Sequence, residues 1–146
     1  MMNPQSQSID QVSTNQVSLQ LLLNNLVDNL PETIFRNKIS VKNKVAAEFT
    51  MKADRDKIVP VIDEVLNTVV SNARNTSISI TAERYSDIVI LNFEDPNNYN
   101  GYALQFSLLS VGQSARHVGG DINIYGAQQR EATVSFSFPD TQTSYY

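Results

Sequence analysis

The sequence predicts one α+β domain, a two-layer α/β sandwich in which helices pack on one mixed, mostly antiparallel sheet. In three segments the apolar residues recur at spacings of three and four, which is typical of amphipathic helices. Elsewhere they alternate with polar residues in paired segments joined by short turns, which predicts strands and hairpins. At 146 residues the chain has room for one core, and it shows no internal repeat.

The domain is expected to occupy residues 17–140. Residues 1–16 are polar and contain few side chains that could be buried, so they predict a flexible N-terminal tail. Residues 141–146 are expected to form a short C-terminal tail.

The first half of the domain is predicted to contain two helices with two short strands between them. Leucines and valines at helical spacing predict the first helix over residues 18–30, followed by a further helical turn. Alternation within residues 39–53 predicts the two strands. The second helix is expected to begin at a cap on Asp54 or Asp56 and to run to residue 73.

The second half is predicted to form a hairpin, a helix and another hairpin. The segments SISITAER and DIVILNFE, joined by YSD, predict the first hairpin. The next helix is expected over residues 102–118, with an interruption at Gly112. The segments DINIYG and ATVSFSFP predict the second hairpin, in which Val134, Phe136 and Phe138 share one face.

Composition argues against several functional classes. The net charge of -4 leaves no basic surface, so neither nucleic acid nor an anionic membrane is an expected partner. The chain has no cysteine and one histidine, which excludes disulfides and thiolate metal sites. Its apolar runs are shorter than a membrane span, and no signal-peptide pattern begins the sequence, so a cytoplasmic location is expected.

Two segments together carry the pattern of a known family. ADRDKIVPVIDEVLNTVVSNARNT, residues 53–76, combines an Asp, a helix and a closing Asn-Ala pair. HVGGDINIYGAQQREATVSFSFP, residues 117–139, combines Gly-Gly, a strand, a turn, a Thr-bearing strand and a Pro. Over roughly residues 17–139 the chain resembles the catalytic ATP-binding domain of sensor histidine kinases, related to gyrase, Hsp90 and MutL. The resemblance implies a Bergerat-type ATPase fold, ATP and Mg²⁺ as cofactors and a signalling protein as partner.

Asn72 is the metal-binding residue that the resemblance implies. In the family, the Asn of the Asn-Ala pair presents its amide oxygen to the Mg²⁺ that accompanies ATP. One such oxygen is sufficient because Mg²⁺ prefers hard oxygen ligands and retains several waters. Glu64, Thr68 and Asn72 are spaced by four, which predicts a polar ridge along the helix. The alternative is that these residues are only the polar flank of an amphipathic helix.

Thr68 departs from the family pattern. Four residues before the Asn of the pair, the family usually carries another Asn, or a catalytic acid in the gyrase branch. A neutral hydroxyl is a weak activator of water, so we expect no hydrolytic base at this position.

Asp95 ends a predicted strand and matches the Asp of the family's first glycine box, which accepts a hydrogen bond from the adenine amino group. Pro96 and the three residues after it occupy the region where the family has glycines. Glycine matters there because it lets the backbone approach the nucleotide closely. The alternative is that Glu-Asp-Pro-Asn is an acidic turn with no ligand.

Gly101 and Ala103 match the second glycine box, Gly-x-Gly-Leu, with Ala replacing the second Gly. A helix N-terminus at this point would offer amides to an anion. Only five residues separate Asp95 from Gly101, where active relatives carry a long lid, so we expect the ATP lid to be deleted. No Lys or Arg occurs from Tyr85 to Ala115, whereas Glu94 and Asp95 would repel a triphosphate.

Thr133 is the Thr of the last strand, and the resemblance places it among the cofactor-binding residues. His117 precedes Gly-Gly, where family members often carry His, but a lone His at a helix end is more often structural. The phospho-accepting His of these kinases lies on a separate helical hairpin, and residues 1–38 contain no His. The chain is therefore not expected to phosphorylate itself.

These patterns predict a degenerate histidine kinase-type ATP-binding module with weak or lost nucleotide binding and no catalytic residue. It would act through protein contacts in a two-component-like signalling pathway. The alternative is an active kinase domain working in trans, either a sensor kinase fragment or a serine kinase similar to the anti-sigma-factor class. A third interpretation is an interaction domain whose first helix, residues 18–30, pairs with a second copy or with an upstream helix.

Overall fold

The computed structural model describes residues 16–141. Its elements are β1 (Val17–Ser18), α1 (Leu19–Asp28), α2 (Thr33–Arg36), β2 (Ile39–Asn43), β3 (Thr50–Met51), α3 (Arg55–Ser71), β4 (Thr76–Tyr85), β5 (Ile88–Asp95), α4 (Gly101–His117), β6 (Asp121–Tyr125) and β7 (Ala132–Pro139). The predicted tails lie outside the described residues, apart from Gln16 and Thr141. Among residues 16–141, no helix is both long enough and apolar enough to cross a membrane.

Five strands form one mixed sheet in the order β2-β4-β5-β7-β6. Strand β2 pairs in parallel with β4, and the other three pairings are antiparallel. Both predicted hairpins are present, as β4–β5 and β6–β7. Strands β1 and β3 form a separate two-stranded sheet, in which Val17 lies opposite Met51. The predicted α+β class with a mostly antiparallel sheet is confirmed.

The hydrophobic core lies between the helices and one face of the five-stranded sheet. The sheet contributes buried side chains at alternating positions, namely Ile78, Ile80, Val89, Leu91, Phe93, Val134, Phe136 and Phe138. The helices contribute leucines, isoleucines and valines at helical spacing, among them Leu19, Leu23, Ile62, Val65, Leu66, Leu104, Leu108 and Val111. Burial of these side chains is the main stabilising term, because each fully buried one contributes about 1.5–3 kcal/mol.

The other face of the sheet is polar and hydrogen-bonded to itself. The Ser135 hydroxyl donates to the Asn92 side-chain oxygen at 2.6 Å, and the Asn92 amide donates to Glu83 at 2.8 Å. Glu83 also accepts a hydrogen bond from the Tyr85 hydroxyl at 2.9 Å. The domain therefore has one apolar and one polar sheet face, as expected of a two-layer sandwich.

Two predicted details of the helices were wrong. Helix α3 begins after Asp54, whose side chain accepts from the Asp56 N–H at 3.1 Å, but it ends at Ser71 rather than at residue 73. It stops there because Asn72 leaves helical geometry, with φ −100° and ψ 8°. Helix α4 continues through Gly112 without interruption. A single glycine costs a helix only about 0.5–1 kcal/mol, which core packing offsets.

Asp140 fastens the end of β7 to the rest of the domain. One carboxylate oxygen accepts from the Lys52 and Ala53 N–H groups at 2.6 and 2.9 Å. The other oxygen forms an ion pair with the Arg84 guanidinium. The Arg84 guanidinium also donates to the Thr50 carbonyl, so strands β3, β4 and β7 are joined at one point.

Candidate functional site

Asn72 lies at the C-terminal cap of α3, half-buried. Its side-chain N–H donates to the Thr68 carbonyl at 2.8 Å, which satisfies one of the carbonyls left free at a helix end. The amide oxygen accepts no hydrogen bond from the residues that the structure describes. Asn72 therefore satisfies the helix end with its nitrogen, while its oxygen has no hydrogen-bond partner among residues 16–141.

The rest of the predicted polar ridge also bonds back to its own helix. The Thr68 hydroxyl donates to the Glu64 carbonyl at 2.8 Å, so its proton is already engaged. Asn67 donates to the carbonyl and the carboxylate of Asp63 at 2.8 and 3.0 Å. Such bonds to the residue four positions earlier are typical of short polar side chains inside a helix. Thr68 has no geometry for activating water.

Asp95 ends β5 and is buried, with 5% of its surface exposed. One carboxylate oxygen accepts from the Thr76 hydroxyl at 2.8 Å and from the Asn97 N–H at 2.9 Å. The second oxygen accepts no hydrogen bond within the described part of the chain. The bond to Asn97 is the Asx-type turn contact that the alternative interpretation predicted.

Gly101 is the first residue of α4 and is buried against the loop between β6 and β7. A Cβ at this position would lie 1.5 Å from the Ala127 carbonyl oxygen, so only glycine fits. The close approach that glycine permits here is made by the chain's own backbone. The side chain of Asn98 holds the same loop, donating to the carbonyls of Ala127 and Gln129 at 2.9 Å each.

The N-terminus of α4 is capped by Asn100. Its side-chain oxygen accepts from the Ala103 N–H at 3.1 Å. A capping side chain occupies the position where an anion would bind amides at a helix N-terminus. Ala103 itself is half-buried.

The five residues between β5 and α4 form an ordered connection. The Asn97 side chain donates to the Asn75 carbonyl at 3.1 Å, and the Asn98 N–H donates to the Arg130 carbonyl at 2.7 Å. Asn75 has a positive φ of 51°, which asparagine tolerates better than most residues. These asparagines connect the end of α3, the end of β5 and the β6–β7 loop.

The structure does not bring Thr133 together with Asp95. Across the β5–β7 pair, Asp95 lies opposite Ala132, and Thr133 lies opposite Glu94. Because directly opposed side chains share a face and successive ones alternate, Thr133 and Glu94 lie on the polar face of the sheet. The residue that shares a face with Asp95 is Ala132, which has no hydroxyl to offer. The strand alternation in the sequence already contained this information.

A cavity of about 110 Å³ marks where the predicted site residues come closest. Asn72 and Ala103 are among its lining residues, which also include Asn37, Ser71, Ala73, Arg74, Tyr99 and Asn100. Asp95 and Gly101 do not line it. Only two of the five predicted residues therefore reach one common space.

The structure adds a cation that the sequence analysis missed. The Arg74 guanidinium lies 4.4 Å from the centre of the Tyr99 ring, at the edge of this cavity, in a cation–π contact. Glu94, in contrast, lies on the other face of the sheet, where it accepts from the Thr81 hydroxyl at 3.3 Å. Of the two acids expected to repel a triphosphate, Glu94 is therefore separated from the cavity by the sheet, whereas Asp95 is on the core side. No local spacing could have shown that Arg74 and Tyr99 meet, because they come from separate segments.

His117 does not belong to this site. It is exposed at the C-terminal end of α4, and the rise of a helix places it about 24 Å from Gly101. It lines a different cavity, of about 180 Å³, beside Asp54 and Lys57. Residues 16–141 contain no cluster of three or more His, Asp or Glu side chains able to hold a metal ion.

No protein-family model matches the sequence, and no curated protein matches it. Solved structures do match. Histidine kinase AdeS of Acinetobacter baumannii is 14% identical with a TM-score of 0.69 over 86% of this chain and 66% of that one. The nucleotide-free catalytic domain of histidine kinase ThkA is 17% identical with a TM-score of 0.67 over 86% and 95%. Full-length ShkA in complex with AMPPNP is 14% identical with a TM-score of 0.68 over 88% and 31%.

The chain has the histidine kinase ATPase fold. Coverage of nearly the whole ThkA catalytic domain, against a third of ShkA, shows that this fold corresponds to the catalytic domain alone. The predicted resemblance is thereby confirmed at the level of the fold. At these identities the likeness does not extend to activity, substrates or partners.

The residues of the site fit an ATP-sized ligand poorly. Pockets that bind small molecules and cofactors usually measure about 300–1,000 Å³. The cavity beside Asn72 has about 110 Å³, and Asp95, the adenine-binding candidate, does not line it. If Mg²⁺ were bound, the Asn72 amide oxygen would be the available ligand. We assign no reaction step to ATP or Mg²⁺ at this site.

Proposed function

We propose that this chain is a degenerate histidine kinase-type ATP-binding module, in which nucleotide binding is weak or lost. It acts through protein contacts in a two-component-like signalling pathway. The observation that carries this proposal is the size of the cavity where Asn72 and Ala103 meet, about 110 Å³, which is too small to enclose a nucleotide.

The backbone around the site supports the same proposal. At Gly101 the Ala127 carbonyl occupies the space that a close-lying ligand would need. The short connection of residues 96–100 leaves no segment long enough to serve as a lid. Hydrogen bonds from Asn97 and Asn98 tie that connection to two other loops, so opening the site would break several bonds at once.

Calorimetric titration of the full chain with AMPPNP and Mg²⁺ tests the proposal. We expect no saturable binding at micromolar nucleotide, and no difference between the parent chain and Asn72→Ala. Thr133→Ala is the matched control, because Thr133 lies on the other face of the sheet. Micromolar binding that is lost in Asn72→Ala and kept in Thr133→Ala would contradict weak or lost nucleotide binding.

An active kinase domain working in trans is the second candidate. Three observations favour it: within residues 16–141 the amide oxygen of Asn72 and one carboxylate oxygen of Asp95 accept no hydrogen bond, and the Arg74 cation lies beside the cavity. This candidate predicts transfer of labelled phosphate from ATP to a partner protein. If incubation of the chain with labelled ATP and a cell lysate labels no protein, active transfer is refuted and the degenerate module stands.

A further inference from the structure

A groove with a volume of about 460 Å³ lies between α1 and the start of α3, beside strand β1. Pockets that bind small molecules usually measure about 300–1,000 Å³, so this groove has the size that the cavity beside Asn72 lacks. Its apolar lining consists of Val17, Leu21, Leu22, Leu26 and Val59. We name it the α1–α3 groove.

The fold covers this apolar lining only in part. Leu22 is buried, with 8% of its surface exposed, whereas Leu21, one position earlier on α1, is 65% exposed. Val17, Leu26 and Val59 are half-buried and pack against the edge of the core. A ligand lying on these side chains would remove apolar surface from water, which is the dominant favourable term in most binding reactions.

Among the described residues, Arg55 is the one charged side chain that lines the groove. It is exposed, and within residues 16–141 its guanidinium makes neither an ion pair nor a hydrogen bond. The acids on either side of it in the sequence line other cavities: Asp54 lines the one beside His117, and Asp56 lines a neighbouring hollow of about 340 Å³. The charge that the groove offers to a ligand is therefore positive.

The end of the groove at the β1–β3 sheet favours a negative charge. Helix α1 begins there at Ser18, whose neutral hydroxyl accepts from the Leu21 N–H at 3.3 Å, and its first turn contains no acid. Val17 lies opposite Met51, and α3 begins at Arg55, only four residues after Met51. Both helices therefore start from the same end of the groove, and the positive end of the α1 dipole adds to the charge of Arg55.

We propose that the α1–α3 groove binds a small amphipathic monocarboxylate, a molecule with an unbranched apolar chain and one terminal carboxylate. The carboxylate pairs with Arg55, because a guanidinium can hold both oxygens of a carboxylate. The chain lies along α1 as far as Leu26. From Ser18 to Leu26 the helix rises roughly 12 Å. This length accommodates octanoate, which spans roughly 10 Å at about 1.5 Å per bond along a zigzag.

This proposal is independent of nucleotide binding. The groove shares no lining residue with the cavity beside Asn72, so loss of the ATP site leaves it intact. The net charge of -4 opposes an anion only weakly, because exposed charges more than about 8 Å away are largely screened at physiological ionic strength.

Titration of the isotope-labelled full chain with sodium octanoate, followed by NMR at physiological ionic strength, tests the site. We expect saturable shifts confined to β1, α1 and the first two turns of α3. Octanoate should bind roughly tenfold more tightly than hexanoate, because two more CH₂ groups leave water.

Comparison with 1-octanol tests the role of Arg55. The alcohol has the same chain without a charge, and we expect it to bind roughly fivefold more weakly than octanoate. Arg55→Gln should reduce octanoate affinity to that of the alcohol and leave the affinity for the alcohol unchanged. Arg36→Gln is the matched control, because Arg36 is also exposed but lies on α2. It should change neither affinity.

A substitution at the rim tests the apolar lining. Leu21→Asp places an acid beside the bound chain and should weaken octanoate binding at least tenfold. Phe35→Asp is the matched control, because Phe35 is 70% exposed and lies on α2. It should leave binding unchanged. Circular dichroism melting of each variant checks that these exposed substitutions leave the fold intact.

Four results would overturn the proposal. They are the absence of saturable shifts, shifts centred outside the groove, equal affinities for octanoate and 1-octanol, and equal effects of Arg55→Gln and Arg36→Gln. If octanoate causes no shifts but a leucine-rich helical peptide with one Glu shifts the same residues, the groove belongs to a protein helix and the small-ligand proposal is wrong.

Discussion

Two buried carboxylates occupy opposite ends of the β5–β7 strand pair, and their surroundings differ. Asp95 and Asp140 are each 5% exposed and lie about 26 Å apart along the strands. Asp140 uses both oxygens, accepting from two backbone N–H groups and pairing with the Arg84 cation. Asp95 uses one oxygen, and both of its donors are neutral, the Thr76 hydroxyl and the Asn97 N–H.

This difference distinguishes a carboxylate that only supports the fold from one that keeps an oxygen for a further hydrogen bond. The Asp140 carboxylate is fully engaged within the fold, so it has nothing left for a ligand. The second oxygen of Asp95 has no partner among residues 16–141. Burial alone therefore does not identify a functional acid, whereas a count of the donors on each oxygen distinguishes these two.

Removal of the fully engaged carboxylate should have the largest effect. Asp140→Ala leaves two backbone N–H groups and the Arg84 guanidinium without their acceptor. Breaking a buried ion pair in this way costs about 3–5 kcal/mol, and we expect a loss near the lower value because Arg84 is partly exposed. Urea unfolding followed by circular dichroism measures it. A loss no larger than that of Asp95→Ala would contradict the claim that Asp140 contributes more to stability than Asp95.

At the Asp95 end of the strand pair, stability should depend on the close backbone packing around Gly101. Gly101→Ala places a methyl group against the Ala127 carbonyl and should lower the free energy of unfolding by about 1–3 kcal/mol. Gly112→Ala is the matched control in the same helix, because a Cβ there would meet only the movable Arg116 side chain at 3.3 Å. It should be neutral or stabilising by up to about 1 kcal/mol. Equal effects in thermal melts of the two variants would contradict the packing argument.

The charge of Asp95 should matter little to stability. In Asp95→Asn the amide oxygen still accepts from Thr76 and Asn97, so we expect a loss of at most about 1 kcal/mol. Asp140→Asn loses its ion pair with Arg84 and should cost clearly more in the same urea experiment. If the two Asn variants are equally destabilised, Asp95 depends on its charge as Asp140 does.

The smallest effect concerns pH at the Asp140 end of the sheet. The hydrogen bond from Tyr85 to Glu83, followed by the negative charge of Glu83, raises the pKa of Tyr85 above its usual value of 10.0. The stabilisation linked to this shift is complete below the ordinary tyrosine pKa and is lost as pH rises through the folded value. Glu83→Gln should lower the pKa of Tyr85, as measured by NMR titration of labelled tyrosine. An unchanged pKa would exclude Glu83 as the cause.

Local sequence pattern predicted the elements well, because a side chain's face depends only on its position in a helix or strand. The alternation of Val89, Leu91 and Phe93 predicted their burial correctly, and all three are 0% exposed. The same alternation assigns Thr133 to the polar face, although the family resemblance had placed it in the cofactor site. The structure places Thr133 opposite Glu94, as the alternation indicates.

The site could not be predicted to the same extent, because its contacts join distant segments. Asn72 was predicted as a Mg²⁺ ligand and Asp95 as an adenine-binding acid, and of the two only Asn72 lines the cavity. Arg74, in the turn after α3, meets Tyr99 of the β5–α4 connection, and no spacing in the sequence reveals this contact. Gly101 is required because the Ala127 carbonyl, from a distant segment, lies beside it.

The sequence by itself determined the α+β class, the order of the elements and the apolar side of each one, because periodicity acts within a few residues. Tertiary structure alone decided what the polar residues do. It brought the Thr76 hydroxyl to Asp95, filled the space beside Gly101 with the Ala127 carbonyl and left Tyr102, Phe106 and Leu109 exposed. The physical reason is that hydrogen bonds, ion pairs and close contacts depend on distances in space, which the fold sets between residues far apart in the chain.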